Sequence, residues 1–297
     1  MLSDIKLNLL RRRTLLALAS LGVWDARAAS AAMTYRYWDW GRTPRRDDYQ
    51  VAALTLALDK TRAAYGAFTV ERVLDSLSTM RVRREVYAGR HLNVHAGPWR
   101  DVAAGDPQER NILISTPILS GLLGYRVLIV RKLDLPRFQA ITSQAQLRKI
   151  PAGQGRGWLD AAILRHNGYK VEDSGNVATL LEMLLNKRFD YLPTSIVEAP
   201  SLLTDDLAIV PDLVLYYPLP AVFYVSAAEP KLAERLEVGL AAARRDGSLD
   251  ALTARHFQKE IKHLKSSAVR CLVLANPNLP KDYPAEPPLP LRKSSAQ

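Results

Sequence analysis

Between residues 33 and 275 short apolar runs alternate with amphipathic helical stretches, a rhythm that restricts the chain to an α/β architecture rather than a sandwich or a bundle. "MTYRYWDW" (33–40) alternates as a strand does, and Thr43-Pro44 then opens a helix through about Tyr65 with Leu54, Leu58 and Thr61 on one face. "HLNVHAG" (91–97), "NILIS" (111–115) and "LLGYRVLIVRK" (122–132) read as strands. A second unit follows, with a helix from Trp158 to about His166, a helix from Val177 to Asn186 and the strand "FDYLPTSIV" (189–197). After "LAIVPDLVLYYPLPAVFYVSA" (207–227), Pro230 opens a helix with Leu232, Leu236, Leu240 and Ala243 on one side. "RRDGSLDALTARHF" (244–257) ends that helix and starts another. Gly247 suits a left-handed cap, and the Ser248 hydroxyl is placed to accept from the next helix's unpaired N–H groups.

The two ends of the chain read differently. A basic stretch ending in Arg11-Arg12-Arg13, the apolar run "TLLALASLGVW" (14–24) and the small-residue stretch "ARAASAA" form an export signal over residues 1–32, by either the general secretory or the twin-arginine route. That run is too short to span a bilayer, so no stable membrane insertion is expected once the signal is cleaved. Removing the segment takes a net three charges from the formal +11 and leaves about +8, with the remaining cations scattered. Arg81, Arg83 and Arg84 read as a solvated helix face, and no nucleic-acid motif accompanies them, so a nucleic-acid partner is not expected. The single cysteine, Cys271, sits in the apolar strand "VRCLVLAN" (269–276) and reads as a packed thiol, which excludes an internal disulfide. From Asn276 onward six prolines and little periodicity read as a proline-rich tail outside the fold.

"VFYVSAAEPKLAERLEVGLAAARRDGSLDALTARHF" (222–257) resembles the closing segment of family 3 bacterial extracellular solute-binding proteins, the periplasmic receptors of amino-acid ABC transporters. "LLEMLLNKRFDYLPTSIVEA" (180–199) resembles the family's helix, short turn and strand, and "STPILSGLLGYRVLIVRK" (115–132) its strand into the first crossover. The resemblance implies a two-lobed periplasmic binding protein type 2 fold, each lobe a mixed sheet flanked by helices, joined by two hinge crossovers. Lobe one would comprise residues 33–124 and 222–275, and lobe two residues 125–221. It further implies a periplasmic, monomeric receptor with a small-molecule ligand, an ABC permease as candidate partner and no cofactor. A periplasmic lyase or dehydratase on the same fold, and an orphan receptor without a transporter, remain as alternatives.

Candidate ligand-binding residues come from both lobes. In "GQGRGW" (153–158) a glycine-rich loop precedes a helix, so Gly155, Gly157 and Trp158 could frame free N–H groups for an anion and Arg156 could clamp a carboxylate. The same glycines also suit a tight turn that needs them for shape, and Asp160 would repel an anion or meet an amine. Trp38, Trp40 and Trp99 stand at strand ends or just beyond, where the family places ligand-stacking side chains, although core packing would also explain each of them. Arg100 and Arg110 lie near the family's carboxylate-clamping arginine, with Arg110 at the closer spacing. The family's amine-binding acid is replaced by Ser195, with Glu198 three residues further on. As for catalysis, Asp190 with Glu198 would be the acid/base pair of a dehydratase. His91 and His95 on a strand would lie ~13 Å apart, too far to share a metal.

Overall fold

The structure, a computed structural model, describes residues 32–289 apart from 177, 282 and 285, together with the backbone of 292–293. The export signal lies outside these residues except for Ala32.

In chain order the elements are β1 (Met33–Asp39), α1 (Pro44–Lys60), α2 (Arg62–Tyr65), β2 (Phe68–Leu74), α3 (Thr79–Ala88), β3 (Val94–Pro98), β4 (Ile112–Leu113) and β5 (Tyr125–Arg131). They continue with α4 (Leu135–Gln139), α5 (Gln144–Arg148), β6 (Ala152–Gly153), α6 (Leu159–His166), β7 (Val171–Glu172), α7 (Leu180–Leu185) and β8 (Leu192–Ser195). The last group is β9 (Leu207–Tyr216), β10 (Ala221–Val225), α8 (Pro230–Arg245), α9 (Ser248–His256), α10 (Gln258–Leu264), β11 (Arg270–Val273) and β12 (Arg292–Lys293).

Two mixed sheets organise the molecule. The first runs β2-β1-β3-β10-β4, with β1 parallel to β2 and β3 and with β10 antiparallel to β3 and β4. The second runs β12-β11-β9-β5-β8, with β5 antiparallel to β9 and β8 and with β11 parallel to β9 and β12. β5 is buried along its whole length, as a central strand covered on both faces must be, which is why its sequence reads as one apolar run. Helices cover the first sheet through α1 and α8. The side chains Leu54 and Leu58 of α1 are buried, as are Leu232, Leu236, Leu240 and Ala243 of α8, the face that their spacing predicts.

The first two passages between lobes run side by side. A 3-10 turn at Leu122–Gly124 leads into β5, and Tyr217 beyond β9 returns past it, donating its N–H to the Gly124 carbonyl at 3.3 Å. Gly124 is required here, because a Cβ at that position would stand 2.3 Å from the Tyr217 carbonyl oxygen. The chain then crosses a third time: after α10, β11 pairs with β9 of the second sheet. Residues 270–275 therefore do not stay with lobe one as expected, because the apolar strand around buried Cys271 fills the open edge of β9. Burial pushes the Cys271 thiol pKa up to about 12, the mark of a packed and unreactive side chain.

The break at 244–257 forms as expected at one residue and differs at the next. Gly247 takes the left-handed conformation (φ 76°). The Ser248 hydroxyl instead donates back to the Ala243 carbonyl at 3.4 Å, and the carboxylate that serves this turn is Asp246, which accepts from the Ser248 N–H at 2.9 Å. Lys60, with Ser248, holds the Asp246 carboxyl well below its ordinary pKa.

The proline-rich tail also differs from its expectation of lying outside the fold. Asn276 Nδ2 donates to the Pro218 carbonyl at 2.8 Å, the Tyr216 hydroxyl donates to the Glu286 carbonyl at 3.4 Å, and the Leu289 N–H donates to the Tyr125 hydroxyl at 2.9 Å. Prolines have little side-chain freedom to lose on docking, so a few such bonds hold the segment over the crossovers without a helical or strand pattern. Among the described residues no helix is long and apolar enough to cross a membrane.

Candidate functional site

The site is assembled from charges and aromatic rings that both lobes bring to one cavity of about 140 Å³. Lobe one contributes Trp38 and Trp40 from the end of β1, Arg46 from α1, Arg83 from α3, and His95 and Tyr224 from the paired strands β3 and β10. Lobe two contributes Arg126 from β5, the first turn of α6 with Gly157, Trp158 and Asp160, and Glu198 from beyond β8.

Arg126 is the best-tied of these groups. Its guanidinium meets Asp160 Oδ1 at 2.7 Å, the Tyr217 hydroxyl donates to the same oxygen at 2.5 Å, and Glu198 Oε2 lies at 3.9 Å. Burial disfavours the charge on Arg126, but Asp160, Tyr217 and Glu198 outweigh it and raise the pKa above its ordinary value. Asp160 sits in the first turn of α6, so the protein's own carboxylate already faces the positive end of that helix.

On the lobe-one side Arg83 pairs with Glu109 at 2.9 Å. Arg100, half-buried, donates to the Glu109 carbonyl at 2.5 Å and lies 5.6 Å from the Tyr224 ring centroid, and among the described residues it has no carboxylate partner. Burial, then Arg83, lowers its pKa from the ordinary value. Three buried polar atoms of wall residues lack a partner: Arg100 Nε, Arg126 Nε and His95 Nε2.

His95 is stacked on Tyr224 at 4.9 Å between ring centroids, and its Nδ1 lies 3.4 Å from the Ala96 carbonyl. Burial foremost, then Arg83 and more weakly Arg100, push its pKa down to about 3 from 6.5. Below pH 6.5 the unfolded chain therefore takes up a proton that the folded protein refuses. Stability is expected to fall as the pH drops from 6.5 towards 3, by up to about 1.4 kcal/mol per pH unit. Urea midpoints measured between neutral and acid pH check this: His95→Phe, which keeps the stack, should flatten the slope, and identical slopes would clear His95 of the effect.

The sequence-predicted residues divide. Trp38, Trp40, Gly157, Trp158 and Glu198 line the cavity, and so does Asp160. Trp99 is not a wall residue; its N–H donates to the Pro220 carbonyl at 2.7 Å. Arg110 is exposed and donates to the Ala103 carbonyl at 3.3 Å, so the guanidinium in the wall is Arg100 instead. Ser195 is fully buried, its hydroxyl directed to the Leu122 carbonyl at 3.4 Å.

Two N–H groups of the glycine-rich loop are already in use. The N–H groups of Arg156 and Trp158 already donate to the carbonyls of Gly175 and Gly155, and the Arg156 guanidinium donates to the Ser174 carbonyl at 2.7 Å. Gly155 lies behind Trp158, where a Cβ would come within 2.4 Å of the indole, so this glycine lets the ring take its place. Asp190 is absent from the wall and pairs with Arg131 at 2.8 Å, so the acid/base pair with Glu198 does not form. Arg46, Arg83, His95, Arg126 and Tyr224 were missed; a charge inside the apolar run of β5 is the signal that could have found Arg126.

No family model and no curated sequence matches the chain. Solved structures do match its fold. A histidine kinase sensor domain with similarity to periplasmic binding proteins aligns with TM-score 0.51 and 19% identity, covering 77% of this chain and 97% of that one. A periplasmic binding protein of Salmonella typhimurium with high arginine specificity aligns with TM-score 0.51 and 13% identity over 75% of this chain and 99% of its own. The substrate-binding protein of an amino-acid ABC transporter aligns with TM-score 0.50 and 13% identity over 76% and 99%. The chain thus has the two-lobed α/β fold of periplasmic binding proteins, with helices flanking both sheets.

Proposed function

We propose that the protein is a periplasmic solute receptor that closes its two lobes on a small polar organic solute, an amino acid or an organic acid, for ABC-type uptake or for sensing. The observation that carries this reading is the cavity itself, walled from both lobes by tryptophans and by arginines. In this reading the solute's carboxylate meets Arg100, the one wall guanidinium without an anionic partner among the described residues. The N-terminal signal supports export, and the fold's neighbours support a permease or a signalling domain as the partner. The acid/base alternative loses its basis because Asp190 faces Arg131 and both Asp160 and Glu198 are committed to guanidinium partners.

A thermal-shift screen of amino acids and organic acids tests the proposal. A true ligand at 100 times its Kd should add about 2.7 kcal/mol of stability. Arg100→Gln should weaken that ligand about tenfold or more, as expected for loss of a charge-assisted bond to a carboxylate. A screen in which no solute gives saturable stabilisation would remove the receptor reading.

A further inference from the structure

Arg46 stands in the cavity as a guest would. It leaves α1 in lobe one, places its guanidinium 4.9 Å from the Trp40 ring centroid, and pairs with Glu198 of lobe two. Asp47 backs it at 2.8 Å, and the side chain is only 13% exposed. Stacking on an aromatic face and pairing with a carboxylate are the two contacts by which a pocket recognises a cationic ligand group. Here both contacts are made to a side chain of the protein. Burial opposes the charge, yet Glu198 and Asp47 raise the Arg46 pKa above its ordinary value, so the group stays charged at any physiological pH.

We propose that Arg46 is a resident guanidinium: it fills the cation-accepting end of the cavity, bars solutes with a cationic side chain, and leaves the Arg100 end to carboxylates. The proposal deepens the receptor reading and rests on this cavity being the solute site. A free cation competing for Trp40 and Glu198 must displace a group that is covalently held beside them, and a tethered competitor acts at a high effective concentration. The ion pair also joins the lobes, next to the edge-on contact of Trp40 with Trp158 at 6.5 Å between centroids. The cation slot thus takes part in closure with or without a solute. Loss of the side chain would leave Glu198 with Arg126 at 3.9 Å and the Thr194 hydroxyl at 3.5 Å, beside an uncovered tryptophan face.

Calorimetry and thermal shift on the purified full-length protein and on Arg46→Ala test this, with methylguanidinium chloride and L-arginine as probes and sodium chloride as the ionic-strength control. The parent protein should give no saturable response to either probe beyond that of the salt. Arg46→Ala should be stabilised saturably by methylguanidinium, and Glu198→Gln added to that variant should weaken the gain about tenfold. Arginine bound saturably by the parent protein, with the same affinity in Arg46→Ala, would overturn the proposal. So would a folded Arg46→Ala that methylguanidinium fails to stabilise. If the alanine variant does not fold, Arg46→Lys keeps the charge but not the flat stacking face. It should give a saturable arginine response where the parent gives none, and a folded Arg46→Lys that arginine fails to stabilise would overturn the proposal. These results stand apart from the solute screen: a screen without binders removes the receptor reading, whereas guanidinium rescue reports on the Arg46 slot alone.

Discussion

Arg126→Met is expected to lower the unfolding free energy by about 3–5 kcal/mol, the cost of stranding a buried carboxylate. Arg126 and Asp160 are both largely buried, with side chains 5% and 8% exposed, and meet at 2.7 Å. Asp160 would keep the Tyr217 hydroxyl as its donor, one neutral bond in place of a charged pair. Removing the second charge should reverse much of the damage. The double variant Arg126→Met with Asp160→Leu leaves one unpartnered tyrosine hydroxyl, a penalty of about 1–3 kcal/mol. Urea unfolding of the parent, both single variants and the double variant closes the cycle. A cost below about 1 kcal/mol for Arg126→Met, or no recovery in the double variant, would show that the pair is solvated in solution.

The second large effect belongs to the helix pair beneath the first sheet. At Gly239, α8 crosses α1 so closely that a Cβ would stand 2.1 Å from the Ala57 carbonyl oxygen and 3.0 Å from the Ala57 Cα. Both obstacles are backbone, so no side-chain rotation relieves them. In an open helix, Gly→Ala gains about 1 kcal/mol from propensity. Here the sign should invert: Gly239→Ala should destabilise by about 1–3 kcal/mol as the helices are forced apart. Gly239→Val should leave little folded protein. Far-UV circular dichroism with urea titration reads both, and a stabilised Gly239→Ala would refute the close crossing.

These two sites also show what the sequence could and could not convey. The α/β rhythm was legible because burial dictates periodicity, and strands such as β5 and helices such as α8 carry that pattern plainly. β2 escaped notice because it is an edge strand whose Glu71 and Arg72 face water, which erases the contrast between its two sides. The tryptophans at the end of β1 and Glu198 could be picked out because the family resemblance places ligand-stacking rings and an amine-binding acid near those positions, and Trp158 because it follows the glycine-rich loop before α6. The arginines could not be sorted. Arg46 on a helix with a polar face, and Arg100 against Arg110 ten positions apart, carry no local mark of which guanidinium turns inward. That choice is made by partners far along the chain, such as Glu198 for Arg46 and Tyr224 for Arg100. The third crossing was hidden for the same reason: "VRCLVLAN" declares itself a strand but not the neighbour it will join.

The extra passage through β11 bears on how the molecule moves. Two bodies tied at adjacent points can swing widely about the line through the ties. A further tie at β11, with the proline-rich segment lashed across Tyr125 and Tyr216, shortens that swing. A docking partner that reads the angle between the halves would then register a smaller excursion than two ties alone would allow.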